Sequence, residues 1–290
     1  MAWTDFEGGL GDIVPSPRES RRFGYSIARL SVGTAWRQTA TTVEQLGHAL
    51  WARVAAAEAD IVIVRFPSKL AQLPAPGTVL PGWTIIPAGS IVYWSCETRL
   101  AAAEPPSDDG MVIVRKSGSS QASAELDVTG FDITEFLNAL DDSFTDYTSH
   151  YTANPLLDST LVTAGYREWA ESNLNDPEGQ MYAWTVDGRM IGVAVSRTLN
   201  VRGGGGGSGS VREIELAGMI SDAQGRGRYR HLLNAVVHDA HADGVGTVVI
   251  STQSHNIRVQ RAWASAGFKP ERSIDTLHAV RTSLLRQDAG

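Results

Sequence analysis

The chain has 290 residues, and 25 Lys and Arg stand against 32 Asp and Glu, which gives a formal net charge of −7 at pH 7. A chain that is 42% hydrophobic and 20% charged can bury a core, so whole-chain disorder and fibrous repeats are excluded. The length predicts one large domain or two of ordinary size, and the negative charge argues against nucleic acid as the main partner.

Cysteine usage and hydropathy bound the compartment. The lone Cys96 excludes an internal disulfide and a multi-cysteine zinc site. Residues 1–7 lack the basic and apolar regions of a secretory signal, and no stretch approaches the ~20 apolar residues of a membrane span. These features predict a cytoplasmic protein without a membrane partner.

The first half of the chain predicts a small α/β domain. Residues 1–20 are rich in Gly and Pro and predict a flexible leader. A strand pattern over 23–32 is followed by a helix from Thr42, in which Leu46, Leu50 and Val54 recur at helical spacing. Further strand patterns lie at 61–64, 83–86 and 91–94.

Two polar stretches predict the domain boundary. Residues 101–109 contain Pro105 and Pro106, and residues 116–123 are rich in Ser. We therefore expect a leader at 1–20, a small N-terminal α/β domain at 21–118 and a second domain at 119–290.

The second half predicts helices at 134–142 and 160–172 and then a hairpin, because Asp187-Gly188 readily adopts the positive φ angles of a type I′ turn. The glycine run 203–207 predicts a mobile loop tip. The remaining elements are a strand at 212–220, a helix, a strand at 247–251, a helix at 256–266 and a final strand at 275–280.

The junction after the strand at 213–220 carries the chemical signal. Residues 224–228 read Gln-Gly-Arg-Gly-Arg and open a helix, so backbone N–H groups and the helix dipole can bind a phosphate there. Arg226 and Arg228 would strengthen such an anion site. As a bare pattern, a solvated turn explains these residues equally well.

The order strand, Gln-x-x-Gly turn, helix, strand, Asn256-led helix and Gly267-Phe268 resembles the GCN5-related N-acetyltransferases (GNAT), over about 130–285. Phe23-Gly24-Tyr25, the 150–155 segment and Thr276-Leu277-His278 further resemble the dTDP-fucosamine N-acetyltransferase type. The resemblance implies a mixed α/β fold, a twisted sheet with helices on both faces plus the smaller N-terminal α/β domain. It also implies acetyl-CoA as cosubstrate.

The resemblance also implies cofactor contacts. Acetyl-CoA would lie between the strands 213–220 and 247–252, and backbone groups there would polarise the thioester carbonyl. The implied cofactor-binding residues are Gly218, Met219, Ile220, Gln224, Gly225, Arg226, Gly227, Arg228, Tyr229, Asn256 and Trp263.

Two positions depart from the family pattern. Tyr229 stands where a small residue usually lets the backbone approach the pyrophosphate, so it either crowds the cofactor or points away. Trp263 stands where a tyrosine commonly protonates the departing thiolate, and an indole N–H is a very poor acid. His255 and Tyr229 are the replacement candidates nearest in sequence.

Glu213 and Glu215 are candidates for the general base. Two-residue alternation predicts that both lie on the face of the strand that also carries Met219. Glu215 is preferred because it is nearer the middle of the strand. A solvated charge or an arginine ion pair explains each of them equally well.

Other histidines support weaker expectations. His150, Tyr151 and His278 are candidates for the acceptor pocket, although exposure or a structural hydrogen bond would also explain them. His231, His238 and His241 lack a matching ligand cluster, so no metal is predicted.

The leading hypothesis is an acyl-CoA-dependent N-acyltransferase acting on a small-molecule amine, such as a nucleotide-linked amino sugar or a specialised metabolite. The alternatives are a degenerate acyl-CoA-binding or regulatory module, and acyl transfer to another nucleophile. The sequence leaves the acceptor and the acyl length open, and a homodimer would be unsurprising.

Overall fold

The structure, a computed structural model, describes residues 3–73, 80–101, 111–115, 132–173, 175–202 and 208–287. The predicted boundary at 118 and the glycine run 203–207 lie outside the described residues. The chain forms two compact units. The first unit comprises Met1–Val92, Thr148–Val162 and Arg272–Gly290, and the second unit comprises Tyr93–Tyr147 and Thr163–Glu271.

The elements in chain order are β1 (Val14–Pro15), α1 (Pro17–Phe23), β2 (Ile27–Ser31), α2 (Val43–Ala55), β3 (Ile61–Pro67), β4 (Trp83–Glu97), α3 (Thr98–Ala101), β5 (Met111–Arg115), α4 (Ile133–Ser143), α5 (Val162–Asn173), β6 (Gly179–Val186), β7 (Arg189–Arg202), β8 (Ser208–Met219), α6 (Tyr229–Ala242), β9 (Thr247–Gln253), α7 (Ile257–Ser265), β10 (Lys269–Arg281) and α8 (Thr282–Gln287). Short 3-10 turns lie at Trp3–Phe6, Trp36–Gln38, Ser68–Leu70, His150–Ala153, Ser159–Leu161 and Ser221–Ala223. The elements confirm a mixed α/β fold, and the predicted strands at 83–86 and 91–94 are one strand, β4.

In the first unit the strand order is β1-β2-β3-β10-β4. β2 runs parallel to β3, and β3 pairs with β10 antiparallel, with Ile61 opposite Val280. Every residue of β3 is buried, and residues 61–64 form a continuous apolar run, as expected of a strand covered on both faces. α2 begins where the Thr42 side chain accepts a hydrogen bond from the Gln45 N–H, and it buries Leu46, Leu50 and Val54.

The predicted flexible leader is wrong for the described residues before α1. Trp3, Phe6 and Leu10 are buried, Leu10 forms a β-bridge with Val32, and the Ser16 N–H donates to the Ile27 carbonyl. Burial of these apolar side chains offsets the entropy cost of ordering a Gly- and Pro-rich segment, which composition alone does not reveal.

In the second unit the strand order is β4-β9-β8-β7-β6-β5. β5, β6, β7 and β8 pair antiparallel, and β8 runs parallel to β9. The β6–β7 hairpin turns at Asp187 and Gly188, which both have positive φ as predicted. Among the described residues, no helix is long and apolar enough to cross a membrane.

Candidate active site

The second unit contains a gap between two parallel strands. β8 and β9 pair only over residues 211–214 and 247–250. At this level β8 also bulges against β7, because Val195 lies opposite Leu216 whereas Ser196 lies opposite Ile214. Glu215 is therefore the extra residue of the bulge. A bulge bends its strand, and beyond Glu215 the described part of β8 has no ladder to β9.

Backbone groups point into this gap. The Ile220 N–H donates to the Ile191 carbonyl at 3.1 Å, so the pair Ile220–Ile191 is hydrogen-bonded. Opposing residues of antiparallel strands alternate between bonded and non-bonded pairs. Gly218 therefore also bonds toward β7, whereas Ala217 and Met219 direct their N–H and C=O groups toward β9. The sequence prediction named Gly218, Met219 and Ile220 as backbone contacts, and of these three only Met219 faces the gap.

A glycine turn closes the gap at the end of β8. Gly225 and Gly227 have φ of 77° and 73°, which residues with a side chain adopt only with strain, and no atom of the described residues lies within 4 Å of a Cβ placed at either glycine. The Gln224 amide donates to the Met219 carbonyl at 3.0 Å and so ties the turn to β8.

The turn presents donors for an anion. The turn leads directly into α6, and the first N–H groups of an α-helix have no acceptor within the helix. Arg226 is exposed and Arg228 half-buried, and no described acidic group pairs with either. The N–H groups of a helix N-terminus beside two guanidinium groups form an anion-binding arrangement.

Tyr229 and Trp263 meet inside the second unit. The Trp263 indole N–H donates to the Tyr229 hydroxyl oxygen at 3.3 Å. Trp263 is 1% exposed and also packs edge-on against Trp94, with ring centroids 6.1 Å apart. Burial raises the pKa of the Tyr229 hydroxyl, opposed in part by the indole hydrogen bond, so the phenol stays protonated at neutral pH.

Asn256 belongs to a polar chain at the end of β9. Its side-chain amide donates to the Thr252 hydroxyl at 3.1 Å, and that hydroxyl lies 3.3 Å from the Tyr147 hydroxyl. The Gln253 N–H also donates to the Tyr147 hydroxyl. The sequence does not identify Tyr147 and Thr252 as site residues, because Tyr147 is 105 residues from Thr252 and belongs to no motif.

The Glu215 side chain is buried and contacts two polar side chains. Its side chain is 4% exposed, it accepts a hydrogen bond from the Asn173 amide at 3.0 Å, and it lies 3.5 Å from the Arg197 guanidinium. Burial raises the pKa of this carboxyl, while Arg197 and Asn173 partly oppose that effect. A buried carboxylate with a raised pKa is a suitable general base.

The predicted face of Glu213 and Glu215 requires a correction. Glu213 lies opposite Arg197, which also contacts Glu215, so the two glutamates share a face. Met219, however, contacts the Cβ position of Gly192, and Gly192 lies opposite Trp184, which packs on His231 of α6. The Cβ position of Gly218 instead meets Ser143 of α4. Because the bulge interrupts the alternation, Gly218 shares the face of Glu213, and Met219 lies on the opposite face.

The remaining predicted residues are one exposed histidine of the second unit and a buried cluster in the first unit. His255 is exposed, and no described side chain bonds to it. His150, Tyr151 and His278 belong to the first unit and are buried, with His278 0% exposed. The His150 Nδ1 lies 2.9 Å from the His278 Nε2, and the Asn154 amide nitrogen lies 3.3 Å from the His278 Nδ1. Tyr151 donates to Glu19, which also pairs with Arg29 at 2.7 Å.

Residues 136–268 match the sequence model of the acetyltransferase (GNAT) family. This segment is a GNAT acetyltransferase domain. No curated protein matches the chain. The described residues hold no group of three or more His, Cys, Asp or Glu that could bind a metal.

Two solved structures resemble most of the chain in fold, and not only the GNAT domain. One is a conserved protein of unknown function from Staphylococcus epidermidis, with 12% identity, a TM-score of 0.51 and 97% of each chain covered. Another is a tandem GNAT protein from the clavulanic acid biosynthesis pathway, with 13% identity, a TM-score of 0.52, and 88% of this chain and 75% of that chain covered. At these identities the likeness concerns the fold alone. The match of the GNAT domain makes the chain an acyltransferase, and the family generally uses acetyl-CoA.

Proposed function

We propose that the chain transfers an acetyl group from acetyl-CoA to the amine of a small molecule. The observation that carries this proposal is the gap beyond Ile214, where Ala217 and Met219 direct backbone groups toward β9 next to the glycine turn that leads into α6. An extended arm with amide groups pairs with such a strand much as another strand would, and its pyrophosphate fits the turn.

Each group has a distinct task in this reaction. The Met219 carbonyl already accepts a hydrogen bond from Gln224, and we assign the Met219 N–H, which also faces β9, as the donor to the thioester carbonyl. A preplaced donor stabilises the negative charge that develops on that oxygen in the transition state. Arg226 and Arg228 supply positive charge for the phosphates.

Glu215 takes the proton of the attacking amine, directly or through water. The amine nitrogen bonds to the acyl carbon, the carbon–sulfur bond breaks, and the thiolate leaves as a thiol after it gains a proton. Tyr229 is the favoured donor of that proton, because its hydroxyl is protonated and accepts the Trp263 N–H, which stabilises the phenolate left behind. His255 is the second candidate.

The acceptor class rests on the resemblance of the 23–25, 150–155 and 276–278 segments to the dTDP-fucosamine N-acetyltransferase type. We therefore propose nucleotide-linked amino sugars as the first acceptors to test and amines of specialised metabolites as the second. The lone Cys96 favours a cytoplasmic setting.

A second candidate function is acyl-CoA binding without turnover. It is favoured by Tyr229, a bulky residue at the first position of α6 whose hydroxyl is already bonded to a buried indole. In this case the domain would sense acyl-CoA.

Calorimetric titration with acetyl-CoA, with desulfo-CoA and free CoA as controls, tests binding first. We expect micromolar affinity. Thiol release with a panel of amino-sugar nucleotides and metabolite amines then tests turnover, with Glu215→Gln as the inactive variant and Glu178→Gln, an exposed glutamate of the same unit, as its control. Binding without thiol release on any amine favours the second candidate. If neither acetyl-CoA nor free CoA binds, both candidate functions are refuted.

A further inference from the structure

The Asn173 side chain serves two groups at once. Its amide nitrogen donates to the Glu215 carboxylate at 3.0 Å and to the Ser196 carbonyl at 3.2 Å. Both acceptors lie at the bulge, since Ser196 is the β7 residue at which the register shifts and Glu215 is the extra residue of β8. Because the Glu215 carboxylate and the Ser196 carbonyl are both acceptors, the amide must be oriented with its nitrogen, and not its oxygen, toward them.

The surrounding chain is shaped to hold this amide. Asn173 ends α5 and is 4% exposed, and its backbone carbonyl accepts the Asp176 N–H at 3.0 Å. A Cβ at Gly179 would collide with the Asn173 side chain and carbonyl. Gly179 opens β6, so a residue with any side chain there would displace the amide from Glu215.

Charged neighbours limit the freedom of the carboxylate as well. Arg197 reaches Glu215 at 3.5 Å and Asp176 at 3.3 Å, so its charge is shared between two carboxylates. Trp169 of α5 also favours the charged form of Glu215, and Glu213 stands two residues away on the same strand face. Among the described residues around Glu215, Asn173 is the only neutral donor that also bonds the backbone of the bulge.

We propose that Asn173 is a positioning residue for Glu215, holding with one amide both the carboxylate and the strand bulge that carries it. The inference rests on the proposed function, in which Glu215 is the base. It predicts that Asn173 sets the protonation of Glu215 without itself touching acetyl-CoA or the acceptor.

The test follows the Glu215 carboxyl by 13C NMR in glutamate-labelled protein, with the signal assigned through Glu215→Gln. In Asn173→Ala the carboxyl should titrate about one pH unit higher, because a hydrogen bond to the charged form is lost. In Asn173→Asp it should titrate higher still, because a second carboxylate repels the charge. Asn175→Ala, an exposed asparagine two residues along the chain, is the control and should not change it.

The acid limb of acetyl-CoA-dependent thiol release should move with the NMR titration. A one-unit move lowers the rate below the limb by about tenfold, while the affinity for acetyl-CoA changes less than twofold. An unmoved carboxyl titration in both Asn173 variants overturns the inference, and the Asp variant carries the test if the Ala variant fails to fold.

The failure of the proposed function looks different. If Glu215→Gln keeps the acid limb, Glu215 is not the base, whatever the NMR titration shows. If the carboxyl titration moves in Asn173→Ala and the acid limb does not, the catalytic part of the inference is refuted.

Discussion

Acidification should destabilise the first unit through its buried pair of histidines. Burial, together with the charge of Arg65, lowers the pKa of His278 from 6.5 to about 4, and the same two causes lower the pKa of His150 well below 6.5. The Asn154 side-chain oxygen Oδ1 accepts the Leu156 N–H, so the side-chain nitrogen Nδ2 donates to the His278 Nδ1. The His278 Nε2 then donates to the His150 Nδ1. A further proton on either ring therefore sets two donors against each other.

The magnitude follows from linkage. The unfolded chain binds a proton at His278 below pH 6.5 and the folded chain does so only near pH 4, so stability is fully present above 6.5 and is lost as the pH falls toward 4. Protonation of His278 lowers the free energy of unfolding by about 2 kcal/mol at pH 5, and by about 3 kcal/mol once the folded and unfolded chains are both protonated. Arg65 and Arg29 add to the cost of a buried positive charge, whereas Glu19 reduces it.

Urea unfolding at pH 7 and pH 5 measures this loss. The pKa of Glu19 is about 2, because Arg29 outweighs the raising effect of burial, so Glu19 titrates in the folded protein below this window. His278→Gln should lose about 2 kcal/mol less than the unmodified protein between the two pH values. His48→Gln, an exposed histidine, is the control. An equally steep loss of stability in His278→Gln would refute the reasoning.

Three further predictions concern the second unit. Glu215→Gln should lower turnover by about 10²-fold or more and remove the acid limb, because the general base is gone; steady-state pH profiles check this, and a retained limb contradicts it. Gly227→Ala should weaken acetyl-CoA binding and cost about 1–2 kcal/mol of stability, since its φ is 73°, whereas Gly246→Ala, with open space and no positive φ, should bind normally. Arg212→Ala should cost about 3–5 kcal/mol in urea unfolding, because it leaves Asp239 and Asp243, each 2.7 Å from the guanidinium, without that buried partner; Arg189→Ala, which breaks an exposed pair with Asp222, should cost at most about 1 kcal/mol.

The sequence was informative where local chemistry determines structure. The Asp187-Gly188 turn, the glycine turn at Gly225 and Gly227, and the helix that begins after Thr42 all follow from the preferences of a few neighbouring residues. The parallel pairing of β8 and β9 follows from the crossover helix α6 between them.

The sequence was uninformative where partners are distant or where periodicity breaks. Alternation predicts Glu213 and Met219 on the same face of the strand, but the bulge places them on opposite faces, and no residue type in the sequence indicates a bulge there. Asn173 reads as an ordinary residue near a helix end, because its role depends on Ser196 and Glu215, which lie 23 and 42 residues away. His150 and His278 meet across 128 residues.

The three-segment composition of the first unit bears on how the protein is made. β3 pairs with β10, so Ile61 meets Val280 only after almost the whole chain has been synthesised. Until then one side of the wholly buried β3 remains an unpaired apolar edge, a recognised template for aggregation. The second unit comprises Tyr93–Tyr147 and Thr163–Glu271, so all but its last three residues are synthesised before β10. A nascent chain stalled before Lys269 should therefore need a chaperone to shield β3, even with its acetyltransferase domain complete.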